Sequence, residues 1–417
     1  MMKTMPCIRR IQMYPDFARA LIVAPNSALG TWEDELYLEG EDDVVYLQGT
    51  RRQRLELLQE DHRWCLINKE GWLALPEIAD VDWDVVVLDE STFIRNPKAK
   101  VTRFFLVNFR NVPHRWLLTG LPNPTGPLDY WCQLAFLDGG AFGCRSYWQF
   151  RAKYFLHNEA GYDWEPDQGV EKQIDRVVGR RAFVMQRRDA GIFMKKVRER
   201  RRLEFPADLH KAYRTAERDF VLELNGETRQ TTLYSMVRWQ WMRQMCGGYV
   251  ERELVWPGKI NELKELLVNE LGAEQVVVWF TYNHELYGAA ERLGRDVVVR
   301  TMTGATPVTQ RRQDIRDFDK GLFRVFLIQM GCAQSGMKLS AADTAIYYST
   351  LASLEARAQS EDRVLQIGKE SPILILDLVV KGTVDEDMTD LLSTRRWQSQ
   401  RALDRAVRER LEARWAS

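Results

Sequence analysis

The sequence predicts an α/β protein of two parallel-sheet lobes with a helical insert between them and a C-terminal helix. Two separated series of short apolar runs predict it, together with a long aromatic- and arginine-rich stretch between the series. The 417 residues are too many for one ordinary domain of ~150, and 45% hydrophobic with 28% charged residues is a mix that can bury a substantial core.

In the first series Leu21 to Ala24, Trp64 to Ile67, Val85 to Leu88 and Trp116 to Thr119 read as buried parallel strands. Each is continuous, β-branched or aromatic, and closed by a turn or a polar cluster. The second series comprises Val276 to Phe280, Val297 to Arg300, Arg324 to Ile328, Thr344 to Tyr348 and Ile373 to Val380. The resulting partition is 1–129 for the first lobe, 130–256 for the helical insert, 257–390 for the second lobe and 391–417 for a C-terminal amphipathic helix. Trp241, Met242 and Cys246 read as core of the insert.

Lys plus Arg is 59 and Asp plus Glu is 59, so the formal net charge is zero. That excludes binding to nucleic acid or membrane by bulk positive charge and leaves local patches. From Arg187 to Arg202 eight basic residues face two acids, a pattern equally compatible with a solvated face and with phosphate contact. From Arg395 to Arg414 there are seven arginines and three acids, with Leu403, Val407 and Leu411 on one stripe, which reads as a solvated helix face over an apolar seam. The six cysteines contain no C-x-x-C pair, so neither a zinc site nor a disulfide framework is expected, and the five histidines form no ligand-spaced cluster. No apolar run approaches the ~18 residues of a membrane span, and the first residues lack a signal-peptide core. A soluble protein of a reducing compartment is expected.

The run Val85-Val86-Val87-Leu88-Asp89-Glu90-Ser91 places two adjacent carboxylates at the C-terminal tip of a parallel strand, where open α/β sheets bind ligands. There Asp89 can hold Mg²⁺ through water and Glu90 can orient a water at a γ-phosphate. The same pair also suits a helix N-cap followed by a first-turn acid.

Around this pair lie Leu-Ile-Val-Ala-Pro-Asn-Ser-Ala-Leu (21–29) with Trp32 and Glu35-Leu36, then Ile94-Arg95-Asn96-Pro97-Lys98-Ala99-Lys100 and Leu117-Leu118-Thr119-Gly120-Leu121-Pro122-Asn123-Pro124. Further on come Val278-Trp279-Phe280-Thr281, Gly336-Met337-Lys338-Leu339-Ser340-Ala341-Ala342-Asp343 and Gln359-Ser360-Glu361-Asp362-Arg363-Val364-Leu365-Gln366-Ile367-Gly368-Lys369. This ordered set, from about Lys3 to Val380, resembles the Swi/Snf-type branch of the superfamily-two helicase-like ATPases, especially the compact bacterial and phage forms.

The resemblance implies two RecA-like lobes, ATP and Mg²⁺ as ligands, and double-stranded DNA, gripped without sequence specificity, as partner, in a bacterial or phage-host cytoplasm with no membrane role. It implies that Asp89 and Glu90 are the Walker B acids and that Lys3 and Thr4 stand where the phosphate loop has its Lys and Thr. Arg363 and Gln359 match the last motif, whose arginine reaches across the cleft to the γ-phosphate; an ion pair of Arg363 with Glu361 or Asp362 is the simpler alternative. Gly336 falls on the nucleotide side, and Ser27, Asn68, Thr119, Gly120 and Lys338 match DNA-contacting positions.

The sequence departs from the pattern in four places. The phosphate-loop glycines do not precede Lys3-Thr4, so the protein starts upstream, the ATPase is degenerate, or Lys3-Thr4 is a chance dipeptide at a floppy terminus, and nucleotide affinity weaker than micromolar is expected. Ser91-Thr92 stands for Ala-His, Ala333-Gln334 for a glycine pair, and Gln366 for a second arginine, which removes one positive charge near the phosphate. The leading expectation is a DNA-dependent ATPase and translocase that remodels or anneals duplex DNA. A non-hydrolysing DNA-binding module of the same fold and an RNA helicase are the alternatives.

Overall fold

The computed structural model describes residues 3–14, 17–120, 122–140, 142–157, 164–167, 169–184, 196–225, 231–334, 337–351, 353–365, 371–393, 407, 409–411 and 413–414. The chain divides into two compact units, Met1–Met185 and Gln186–Ser417. Both are α/β units built on a parallel sheet.

The first unit contains β1 (Ala20–Ala24), β2 (Val44–Tyr46), β3 (Trp64–Asn68), β4 (Val85–Asp89) and β5 (His114–Leu118). They form one parallel sheet in the order β2-β3-β1-β4-β5. Side chains alternate between its faces. Leu21, Val23, Cys65, Ile67, Val86 and Leu88 enter one buried cluster, and Ala20, Ile22, Trp64, Leu66, Val85 and Val87 the other. Burial on both faces explains why these strands read as unbroken apolar runs. A short antiparallel hairpin, β6 (Phe155–His157) and β7 (Trp164–Pro166), also lies in this unit.

The second unit begins its described part with β8 (Lys196–Leu203). After the small antiparallel pair β9 (Tyr249–Val250) and β10 (Glu253–Leu254) come β11 (Val276–Phe280), β12 (Val299–Met302), β13 (Val325–Gln329), β14 (Thr344–Tyr347) and β15 (Ile373–Val380). The parallel sheet runs β12-β13-β11-β14-β15-β8. Its β11 divides in the same way, with Val277 and Trp279 in one core and Val276, Val278 and Phe280 in the other.

The division between the two units falls at Met185 and Gln186, inside the stretch 130–256. The strand β8 was not expected. Its sequence KVRERRRL looks like a solvated or phosphate-binding run, yet it pairs with β15 over eight residues. The cations are neutralised from within the unit. Lys196 and Arg198 bond Glu361, Arg200 bonds Asp390, Arg201 bonds Glu270 and Arg202 bonds Glu386. In this described part of the segment the cations therefore meet carboxylates of their own unit; residues 187–195 lie outside the described residues.

Met242 and Cys246 are buried beside the partly buried Trp241 in a third cluster of this unit, where Val407 and Leu411 also pack. The apolar seam expected of the C-terminal residues is thus seated at two positions, while Leu403 lies outside the described residues.

Glu285 is fully buried in the second unit, where Ser349 Oγ donates to its Oε2 and Oε1 has no partner among the described residues. Burial pushes its carboxyl up to about 7, against the Ser349 hydroxyl and Lys259, which hold it down. A raised carboxyl favours the folded state fully below its ordinary value near 4.5, and that contribution is lost as pH rises through about 7. Glu285→Gln should therefore melt close to wild type at pH 5 and be more stable by on the order of 3 kcal/mol at pH 8. Thermal melts at the two pH values check this, and a constant offset between the proteins would refute it.

Candidate functional site

Because β1, β3, β4 and β5 are parallel, their C-terminal tips share one edge of the sheet. Ala24 stands in register with Asn68, and Asp89 with Leu118. The residues singled out in the first unit gather along that edge. Ser27 lies in the first turn of α2 (Asn26–Leu38), just beyond β1, and its side chain is outside the described residues. Asn68 ends β3 and donates to Glu70 Oε2 at 3.2 Å. Thr119 and Gly120 directly follow β5, with open space where a Gly120 Cβ would stand.

Asp89 closes β4 and is only 7% exposed. The indole Nε1 of the fully buried Trp32 donates to its Oδ2 at 3.1 Å, and the Glu90 backbone N–H donates to Oδ1 at 2.9 Å. Burial raises its carboxyl above the usual carboxylate range, the Lys3 ammonium opposes that, and the Glu90 charge adds to it. A buried carboxylate in this state gains from any further positive charge.

Glu90 adopts the left-handed conformation, φ 51° and ψ 53°, which costs a side-chain-bearing residue about 1–2 kcal/mol. Its carboxylate meets Lys3, with Nζ donating to Oε1 at 2.9 Å. Lys3 is the N-cap residue of α1 (Thr4–Gln12), and no side chain caps that helix. Thr4 is buried at its first position, and burial, with Asp89 adding, pushes the Cys7 thiol up to about 12. The site thus unites a helix N-terminus, an ammonium and two strand-tip carboxylates. A helix N-terminus attracts anions, and an ammonium beside it attracts a phosphate.

The donor set fits hydrated Mg²⁺, which takes one or two carboxylates and fills its remaining positions with water and phosphate oxygens. No group of three or more metal-ligating side chains occurs among the described residues.

Two neighbours organise this edge. Ser91 Oγ donates to Gln133 Oε1 at 2.9 Å, and Gln133 Nε2 donates to the carbonyls of Pro122 and Asp129 at 2.6 and 3.0 Å. Gln133 thereby ties the end of β4 to the turn that carries Thr119 and Gly120. The Ser91 hydroxyl forms this bridge where the related pattern has alanine.

In the second unit Gln359 and Arg363 lie on the helix Leu354–Val364, whose first turn is capped by Ser353 accepting from the Ala356 N–H at 3.1 Å. Gln359 Nε2 donates to Glu355 at 3.2 Å, while its buried Oε1 has no partner among the described residues. Arg363 is partly exposed in the last turn, and its backbone carbonyl accepts from the Leu339 N–H at 2.9 Å. Lys338 is exposed. Gly336 and Gln366 lie outside the described residues.

The helix is anchored by charges inside the unit. Arg357 grips Asp377 of β15 through two bonds of 2.6 and 3.0 Å, lies 3.5 Å from the centre of the Tyr347 ring, and donates through Nε to Glu361 at 3.0 Å. Glu361 points inward and also receives Lys196 and Arg198 of β8. Burial would raise the Glu361 carboxyl, but Arg357, Lys196 and Arg198 hold it well below the usual range.

Trp32, Gln133 and Arg357 were not expected to matter. Trp32 sits within a recognisable run, but nothing in its spacing reveals a bond to Asp89, 57 residues away.

Residues 2–246 match the SNF2-related domain and residues 258–368 the helicase conserved C-terminal domain. Putative protein p41 of Acyrthosiphon pisum secondary endosymbiont phage 1 is 25% identical, over 90% of this chain and 85% of that protein. The putative ATP-dependent helicase/translocase YwqA of Bacillus subtilis is 23% identical over 90% of this chain, which spans only 42% of that protein. A solved structure of the Sulfolobus solfataricus SWI2/SNF2 ATPase core in complex with dsDNA aligns over 94% of this chain and 84% of that one, at 18% identity and a TM-score of 0.43.

Proposed function

The chain belongs to the SNF2-related family, and on that premise we propose that it is a DNA-dependent ATPase and translocase that remodels or anneals duplex DNA. The observation that carries this reading is the meeting of Lys3 with Asp89 and Glu90 at the tip of β4. Residues 86 and 87 positions apart assemble into the anion- and cation-binding set that a magnesium-bound triphosphate needs.

In this reading Lys3 leaves Glu90 for the phosphates of ATP, and the freed Glu90 carboxylate orients the attacking water. Asp89 holds hydrated Mg²⁺, which supplies positive charge to the phosphate oxygens. Trp32 fixes the Asp89 carboxylate, and Gln133 relays the position of the β4 tip to Thr119 and Gly120. Arg363, and Gln359 one turn before it, act on the phosphoryl group, while Gly336 belongs with the nucleotide and Ser27, Asn68, Thr119, Gly120 and Lys338 with DNA. The partner is double-stranded DNA held by its backbone, because these groups are hydroxyls, amides and one ammonium suited to phosphates.

Phosphate release at saturating ATP and Mg²⁺ tests the proposal, with duplex DNA, RNA or no nucleic acid added and Glu90→Gln as the hydrolysis-deficient control. Duplex DNA is expected to raise turnover at least tenfold and RNA to have no comparable effect. Equal stimulation by RNA would point to an RNA helicase. No turnover, with duplex binding indifferent to ATP, would identify a non-hydrolysing DNA-binding module.

A further inference from the structure

A zero net charge makes any local excess of one sign informative, and the first unit carries one beside the exposed ring of Trp148. Residues 95–103 hold Arg95, Lys98, Lys100 and Arg103 without an acid, and residues 145–153 hold Arg145, Arg151 and Lys153 without an acid. The fold brings the two segments together at Trp148. This side chain, near the start of the helix Tyr147–Tyr154, is 47% exposed. Lys98 Nζ lies 5.5 Å from the centre of its ring and the Arg151 guanidinium 4.7 Å. Arg151 is also 4.2 Å from the ring of Trp164, which fixes the guanidinium between two indoles.

A second aromatic surface includes Lys100, two residues beyond Lys98. An open cleft of about 400 Å³ is lined by Trp72, Leu73 and Phe93, with Lys69, Lys100 and one acid, Glu70, among its walls; Glu70 is engaged by Lys69 at 3.7 Å, which leaves Lys100 as the cation facing the rings. Trp72 is braced from behind by Phe104, at 4.9 Å between ring centres. Lys98 and Lys100 are two residues apart, no more than about 7 Å along the chain. Lys98 thus stands at one ring surface, the exposed Trp148, and Lys100 at the other, the partly exposed Trp72 and Phe93.

We propose that this surface binds single-stranded DNA, with one unpaired base stacking on Trp148, a second entering the Trp72–Phe93 cleft, and Lys98 and Lys100 on the phosphates between them. Stacking on aromatic rings beside cations is the general means of holding unpaired strands without reading sequence. Duplex DNA has its base faces occupied and offers these rings nothing to stack on. The Lys98 ammonium has no other partner among the described residues. A base can take its place over the indole while the ammonium moves to the adjoining phosphate. The site extends the proposed duplex-dependent activity to the unpaired segments that remodelling or annealing creates, and it does not depend on hydrolysis.

Fluorescence anisotropy of the intact chain without ATP, using a labelled oligothymidylate and a blunt duplex of equal length, tests the assignment. Trp148→Ala should weaken oligothymidylate binding about tenfold and duplex binding by less than about twofold. Trp148→Phe should keep most of the affinity because a ring remains. Lys100→Ala should flatten the dependence of log affinity on log salt by about 0.7 for the single strand, a change that lost stacking alone does not produce. Equal weakening on both ligands, or unchanged oligothymidylate binding in Trp148→Ala and Lys100→Ala, would overturn the proposal. Displacement of oligothymidylate by an acidic peptide at lower concentration than by unlabelled strand would reassign the surface to a protein partner.

Discussion

Alanine at Arg363 is expected to lower duplex-stimulated ATP turnover about a thousandfold or more while changing stability by less than about 1 kcal/mol. The first half of that expectation follows from chemistry. A guanidinium presented to a transferring phosphoryl group contributes about 10³–10⁵ in rate. Gln366, the neutral residue three positions later, cannot share the task. The second half follows from position. Arg363 is partly exposed, where truncating a side chain usually changes stability little, and alanine keeps the backbone carbonyl that accepts from the Leu339 N–H. Arg363→Lys should recover little, because an ammonium lacks the planar fork that meets two phosphate oxygens together. Phosphate release under saturating ATP measures the effect, and turnover within tenfold of wild type would remove Arg363 from the proposed mechanism.

A larger effect on the fold is expected at Arg357, six residues earlier on the same helix. Its guanidinium is buried against Asp377 and Glu361; burial alone would lower its pKa, but Asp377, Tyr347 and Glu361 together raise it further. Arg357→Ala leaves Asp377 buried without its bidentate partner. Removing one member of such a pair costs about 3–5 kcal/mol, which should appear in denaturant titration as early loss of the second unit. Glu361 suffers less, since Lys196 and Arg198 remain. Replacing the pair together, Arg357→Met with Asp377→Leu, should recover much of the loss, because two apolar side chains leave no orphaned charge. A single variant within 1 kcal/mol of wild type would show that water or another cation already serves Asp377.

The parts of this molecule legible in its sequence are those whose physics is local. Strands such as Val85–Asp89 and Val276–Phe280 announce themselves because burial on both faces requires an unbroken apolar run. The acid pair at the tip of β4 is legible for the same reason, since the strand fixes where its end must be. What stayed hidden depends on distant partners. The strand β2 is only three residues long, too short to carry a pattern. The strand β8 is disguised by five cations whose acids arrive from as far away as residue 390. The bonds of Trp32 to Asp89 and of Gln133 to Ser91 span 57 and 42 residues and leave no trace in spacing. The αL backbone of Glu90 is equally silent, because nothing in the letters around it demands a glycine.

The placement of β8 bears on how such chains can be divided and recombined. The segment matching the SNF2-related domain runs to residue 246, yet its residues 196–203 are woven into the sheet whose other strands belong to the following half. A fragment begun at the second matched segment, at residue 258, would strip β15 of β8 on its outer side and expose eight residues of bare strand margin to self-association. An inheritable back half must therefore begin ahead of Lys196, so the seam visible to sequence families and the seam along which the molecule can be cut are different places.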